Sequence, residues 1–94
     1  MTEYGGWHAL VLGRVQDVYF RQFVVEHARV LGLVGFVRNL PDGHSLEVTA
    51  EGPRPALAEL LRLLEVGPPR ARVERVEVEW TEGVTGFRDF QIRH

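Results

Sequence analysis

The chain has 94 residues, of which 45% are hydrophobic and 26% are charged, and its formal net charge is −2 at pH 7. This length suits one domain with a single hydrophobic core, and the composition is that of a folded globular protein. The absence of cysteine excludes disulfides, thiolate nucleophiles and cysteine-ligated zinc. The slight negative charge argues against a general nucleic-acid binder, and no apolar stretch approaches the roughly 20 residues of a membrane span. We therefore expect a cytoplasmic protein without nucleic-acid or membrane partners.

The first elements follow from a change of hydrophobic period. Residues 1–6 are predicted to be a flexible N-terminal tail, which leaves residues 7–94 as the domain. The short apolar run Trp7–Leu12 predicts a central strand. Apolar side chains then recur at helical spacing and predict a helix over Phe20–Leu31, which ends at Gly32.

The middle of the chain predicts a hairpin and a second helix. Strands over Val34–Leu40 and Leu46–Glu51 flank Pro41-Asp42-Gly43, whose residue types favour a tight turn. The second helix opens after Gly52 with proline in its first turn. Its predicted buried stripe is Leu57, Leu60, Leu61 and Leu64.

The last third of the chain predicts two strands. The charged residues from Arg70 to Glu79 are interpreted as a solvated strand face. Alternation over Arg75–Trp80 predicts a strand, and Val73 lies out of phase with it, which indicates a bulge or a late strand start. The residues expected to point inward are Val76, Val78 and Trp80. After a loop over residues 83–86, Phe90 and Ile92 mark a short last strand.

The resulting order is β-α-β-β-α-β plus a terminal strand. It is the split βαβ, ferredoxin-like pattern of an α+β protein. In this fold class, an antiparallel sheet carries two helices on one face.

The segment between the first strand and the first helix is a candidate anion site. Backbone N–H groups at a helix N-terminus lack internal partners, and the helix dipole places partial positive charge there. A loop over that end can aim several N–H groups at one anion. Arg21 lies in the first turn, where a cation is unfavourable unless an anion sits between it and those N–H groups. The alternative is an arginine that points into solvent or pairs with a carboxylate.

Asn39 ends the strand before the hairpin turn. An asparagine in this place often satisfies backbone groups of the turn. The predicted topology can also bring it beside the candidate anion loop, where its amide could hold a water in line with a bound phosphorus. The residues alone leave both interpretations open.

Two stretches together resemble the acylphosphatase family. Residues Gly13–Arg21, GRVQDVYFR, resemble the signature G-x-V-Q-G-V-x-F-R, and Gly35–Gly43, GFVRNLPDG, resembles the aromatic-led G-[FYW]-x-x-N before a turn glycine. The resemblance covers nearly the whole chain from Trp7 to Ile92. It implies a monomeric hydrolase that needs no metal or cofactor and cleaves small-molecule acyl phosphates into carboxylate and phosphate.

The signatures also imply roles for individual residues. Arg21 corresponds to the phosphate-binding arginine and Asn39 to the asparagine that positions the attacking water. The phosphate-binding cradle corresponds to Val15, Gln16, Asp17, Val18, Tyr19 and Phe20.

Asp17 departs from the family pattern, which has glycine at this position. The position can require a positive φ, and a carboxylate beside an anion site repels phosphate. Asp17 can point to water, cap the first helix or fold into the site; we expect one of the first two. Because of Asp17, a second function stays open, namely an anion-binding domain with weak or no turnover.

A third function class shares the same order of elements, namely RNA-binding or amino-acid-binding modules. RNA binding by this fold uses aromatic side chains on the central strands for base stacking. The predicted strand Leu46–Glu51 has none, which argues against this class.

Overall fold

The computed structural model describes residues 3–83 and 85–94. Within them the chain forms five strands and two helices. In chain order these are β1 Tyr4–Arg14, α1 Phe20–Val30, β2 Val34–Asn39, β3 Ser45–Pro53, α2 Arg54–Val66, β4 Arg72–Thr81 and β5 Phe90–Ile92. The predicted ferredoxin-like order of elements is confirmed.

The strands of the described residues form one sheet in the order β4-β1-β3-β2-β5. β1 lies antiparallel to β3 and β4, and β2 lies antiparallel to β3. β5 runs parallel to β2, so the sheet is mixed: the predicted antiparallel pairing is confirmed for β1 to β4 and does not extend to this edge.

Both helices pack on the sheet over one hydrophobic core. Trp7, Ala9 and Val11 alternate along β1 and are fully buried, as expected for one face of a strand. The Trp7 indole Nε1 donates a hydrogen bond of 3.0 Å to the Leu57 carbonyl oxygen, which ties β1 to α2. The helix residues buried in this core are Phe20, Val24, Val25, Ala28, Leu57, Leu60 and Leu64.

The predicted N-terminal tail is wrong for residues 4–6. Tyr4, Gly5 and Gly6 belong to β1 and lie opposite residues 51–53 of β3, so neighbouring backbone rather than side-chain burial holds them. Met1 and Thr2 lie outside the described residues, as does Val84 in the predicted loop over residues 83–86.

β4 is the other element that departs from expectation. Val78 and Trp80 lie opposite the buried Ala9 and Trp7, so the predicted phase is right, but each remains 42% exposed. β4 is an edge strand, and the helices leave much of its inward face uncovered. The Arg54 guanidinium lies over the Trp80 ring at 5.3 Å from its centroid.

The out-of-phase Val73 marks a bulge, one of the two predicted alternatives. Leu12 lies opposite Arg75 and Gly13 lies opposite Val73, so Glu74 is an extra residue on β4. Such a bulge bends a strand locally. It lies at the end of β1, where the candidate anion loop begins.

Candidate active site

A cleft of about 520 Å³ opens where β1 and β2 end and α1 begins. Its lining residues are Val15, Asp17, Tyr19, Phe20, Arg21, Gln22, Asn39, Arg70, Ile92 and His94. The structure therefore brings Arg21 and Asn39 together in one cleft, although 18 positions separate them in sequence.

The loop over residues 15–19, hereafter the anion loop, is held in place from both sides. Val15 is 1% exposed and Val18 is 7% exposed, and both pack into the core. The Gln16 side chain turns towards the hairpin, where Nε2 donates hydrogen bonds of 2.8 Å to the Leu40 carbonyl and 2.9 Å to the Ser45 carbonyl. Gln16 and Val18 thus shape the loop but do not line the cleft.

The backbone N–H groups of this segment are open. Among the described residues, none accepts a hydrogen bond from the backbone N–H of any residue from 16 to 22; the first satisfied donor is Phe23, which bonds to the Tyr19 carbonyl at 3.0 Å. Free N–H groups at a helix N-terminus carry partial positive charge. They form a suitable set of donors for an anion.

Arg21 adds a full positive charge at the same end of α1. The first turn of α1 has no acidic residue, and within the described residues the Arg21 guanidinium forms no salt bridge. The half-buried Arg21 therefore lines the cleft with its donors uncommitted. Its planar fork can hold two oxygens of a phosphoryl group.

Asn39 contributes an acceptor without a partner. It is the last residue of β2, and its Oδ1 is buried with no hydrogen bond inside the described part of the chain. Buried polar side-chain atoms are paired in most proteins. An unpaired amide oxygen on a cleft wall is therefore suited to a water or a ligand.

Asp17 has the positive φ that its motif position suggested. Its φ is 59°, and the next residue but one, Tyr19, has φ 62°. Asp17 is exposed and does not cap α1, because the N-cap residue is Tyr19 and no side chain bonds to that end. Of the two geometries we expected, only the outward one is consistent with the structure. Asp17 is nevertheless one of the residues that line the cleft.

Sequence reasoning missed Arg70 and His94 as cleft residues. Arg70 was assigned to a solvated strand face, but β4 begins only at Arg72, and Arg70 lies in the preceding turn on the cleft wall. Arg70 lies between α2 and β4 and His94 lies after β5, so their approach to the α1 N-terminus leaves no local sequence pattern. No signal in the sequence marked either residue.

The donor set of the described residues does not resemble a metal centre. No three His, Asp or Glu side chains within residues 3–83 and 85–94 come together around one point. Neither α1 nor α2, the helices of these residues, has the length and apolar character to cross a bilayer.

Comparison with known proteins identifies the relatives of this chain. The family model named Acylphosphatase matches residues 7–92. An acylphosphatase of Caldivirga maquilingensis is 51% identical over 85 residues, which cover 90% of each chain. The crystal structure of an acylphosphatase from Bacillus subtilis has a TM-score of 0.92 at 34% identity and covers 96% of this chain and 99% of that one. The acylphosphatase structure from Coxiella burnetii has a TM-score of 0.90 at 36% identity, with 97% and 94% covered.

Proposed function

Since the chain belongs to the acylphosphatase family, we propose that its cleft hydrolyses carboxyl–phosphate mixed anhydrides to carboxylate and inorganic phosphate. One observation carries the proposal: Arg21, Asn39 and a run of free backbone N–H groups border the same cleft. These groups provide a place for the phosphoryl oxygens and a place for a water.

The anion loop and Arg21 bind the phosphoryl group. Its oxygens accept hydrogen bonds from the free N–H groups and from the guanidinium, and the α1 dipole adds to the attraction. Phosphoryl transfer passes through a loose transition state whose charge spreads over the equatorial oxygens. Donors already fixed in place stabilise that charge without reorganising during the reaction.

Asn39 orients the attacking water. Its buried Oδ1 lacks a partner and accepts a hydrogen bond from the water, whose lone pair then faces the phosphorus. Positioning of this kind turns a bimolecular encounter into an effectively unimolecular step. β2 holds the side chain at its last residue, so the water site has a fixed distance from the anion loop.

The chemical step needs no strong general base. The water oxygen forms a bond to phosphorus, and the bond between phosphorus and the acyl oxygen breaks, so that its electron pair leaves with the carboxylate. One of the two water protons passes to an oxygen of the phosphoryl group, which becomes inorganic phosphate. Because a carboxylate is a stable leaving group, no acid has to protonate it.

Hydrolysis of acetyl phosphate by the purified protein tests this proposal. We expect Arg21→Ala to lower kcat/KM by about 10³-fold and Asn39→Ala by about 10²-fold, with both variants folded. Arg14→Ala is the matched control for charge, since Arg14 is exposed at the end of β1 and does not line the cleft. Activity that survives in both cleft variants would contradict the proposed roles.

A second candidate function rests on Asp17. Asp17 is a lining residue of the cleft, and a negative charge there repels an anion, which favours an anion-binding domain with weak turnover. Such a protein would bind inorganic phosphate in an Arg21-dependent manner and hydrolyse acetyl phosphate no faster than its Asn39→Ala variant. Calorimetric phosphate titration beside the activity assay separates the two functions.

The proposal also covers the oligomeric state of the protein, its cellular location and its need for a metal or cofactor. We propose a cytoplasmic monomer that works without metal or cofactor. Sedimentation equilibrium, fractionation of the source cells and activity after chelation with EDTA test these three points separately. A dimer, an exported protein or a loss of activity that added metal restores would contradict the corresponding point.

A further inference from the structure

The connection between α2 and β4 presents Arg70 to the cleft on a tight turn. The Ala71 N–H donates a hydrogen bond of 3.0 Å to the Pro68 carbonyl, which makes Pro69 and Arg70 the central residues of a β-turn. Proline at the first central position fixes its φ in advance. The backbone of Arg70 is therefore fixed, and only its side chain is free to move.

This turn packs against the start of α1. A Cβ atom at Gly67, just before the turn, would lie only 3.0 Å from Cε2 of Phe20. Gly67 has φ 71° and Phe20 is 1% exposed, so neither can move without disturbing the core. The contact fixes the turn beside Arg21, the residue that follows Phe20.

The cleft carries a second arginine besides the one assigned to the phosphoryl group. Arg21 and Arg70 both line it, and within the described residues neither forms a salt bridge. Asp17 is the acidic residue of the lining, and His94 also belongs to it. The volume of about 520 Å³ lies in the range of about 300–1,000 Å³ that holds ligands much larger than phosphate.

We propose, on the premise of the function proposed above, that Arg70 selects acyl phosphates whose acyl chain carries a second anionic group, a carboxylate or a phosphate. The reacting phosphoryl group occupies the anion loop and Arg21, the carbon chain lies along Ile92, and the distal anion meets the Arg70 guanidinium. An Arg70 that contacted the reacting phosphoryl group instead would affect all acyl phosphates equally. A merely solvated Arg70 would affect none.

The preference for succinyl phosphate over acetyl phosphate, as a ratio of kcat/KM values, tests the proposal. We expect Arg70→Gln to lower this ratio about fivefold, as for an exposed ion pair, chiefly through the KM of succinyl phosphate. Arg70→Glu lowers it further because it reverses the charge. The matched control Arg72→Gln, on an exposed residue outside the cleft, keeps the ratio. Added salt reduces the wild-type preference.

Binding of inert analogues separates this inference from the proposed activity. 2-Oxopropylphosphonate and 5-phosphono-4-oxopentanoate replace the anhydride oxygen by carbon and differ in the distal carboxylate. Tighter calorimetric binding of the second compound, lost in Arg70→Gln, supports the role of Arg70 even in a protein without turnover. An unchanged ratio of affinities, or a ratio of kcat/KM values that does not respond to Arg70→Gln, would overturn it.

Discussion

The hairpin turn that follows Asn39 and the anion loop satisfy their backbone hydrogen bonds in opposite ways. The hairpin turn between β2 and β3 completes its own hydrogen bonds: the Leu40 N–H bonds to the Ser45 carbonyl at 3.0 Å, and the Asp42 carboxylate accepts from the N–H groups of His44 and Ser45 at 2.9 Å. Its left-handed residue is Gly43, with φ 82°. Little in this turn remains available to a ligand.

The anion loop leaves the corresponding groups open. Its N–H groups have no partner in the described residues, and its left-handed residues, Asp17 and Tyr19, are not glycines. A non-glycine residue in this region costs about 1–2 kcal/mol, and strained backbone persists only where the surroundings hold it in place. Here the buried Val15 and the hydrogen-bonded Gln16 provide that hold.

We infer that the hairpin turn is a scaffold and that the anion loop is the candidate binding site. The hairpin turn is rigid through its own bonds and holds Asn39 at one wall. The anion loop is held in place by the hydrogen bonds from Gln16 to the hairpin. Its N–H groups therefore keep a fixed position although they have no hydrogen-bond partner among the described residues.

Removal of the Gln16 side chain breaks the link between the two turns. We expect Gln16→Ala to lower the free energy of unfolding by about 1–3 kcal/mol, since two partly buried hydrogen bonds to the Leu40 and Ser45 carbonyl groups are lost. We also expect kcat/KM for acetyl phosphate to fall by about tenfold, because a displaced loop misaligns the phosphoryl group. Urea unfolding and steady-state kinetics measure the two effects. Gln91→Ala, on an exposed glutamine of β5, is the control; full activity in a destabilised Gln16→Ala would refute the link.

Substitution of Asp17 separates the effect of its negative charge from the effect of its positive φ. Asp17→Gly removes both the strained side chain and the negative charge, and we expect kcat/KM for acetyl phosphate to rise about two- to fivefold, mainly through KM, as for a screened surface charge. Asp17→Asn removes the charge but keeps a residue that tolerates positive φ. An equal gain in both variants assigns the effect to charge, and a gain in glycine alone assigns it to the backbone. No change in either variant would show that the carboxylate is harmless.

The contribution of the Asp42 carboxylate to the stability of the hairpin turn should depend on pH. Hydrogen bonds from the Ser45 hydroxyl and then from the His44 N–H hold the pKa of Asp42 below its ordinary value. A carboxyl whose folded pKa is lowered stabilises the fold above its unfolded pKa, and this contribution is lost as pH falls through the folded pKa. Asp42→Asn should therefore be less stable than wild type in neutral buffer and converge with it in strong acid. Parallel urea titrations along a pH series measure the gap; a constant gap would contradict the assignment.

Much of the fold was predictable because it depends on local patterns. Helical spacing from Phe20, the turn residues from Pro41 to Gly43 and the alternation in β4 each reflect neighbours in sequence. The exposure of Val78 and Trp80 was not predictable. Alternation indicates which face of a strand a residue occupies, but not whether a helix covers that face. The start of β1 was missed because paired glycines resemble a tail when their partner strand is unknown.

Some residues of the candidate site were predictable from the sequence and others were not. Arg21 and Asn39 were found through motifs, and the positive φ at Asp17 followed from the glycine that the family has there. Arg70 reaches the cleft through a contact between Gly67 and Phe20, which are far apart in sequence. Contacts of this kind depend on tertiary packing and leave no periodicity to detect.

A crystal structure of the protein soaked with inorganic phosphate would show whether the anion loop and Arg21 hold a phosphoryl group beside Asn39. We expect phosphate in the anion loop, bonded to backbone N–H groups between residues 16 and 22 and to the Arg21 guanidinium, with a water on Asn39 Oδ1 facing the phosphorus. Phosphate bound elsewhere, with the anion loop empty and Arg21 turned away, would contradict it.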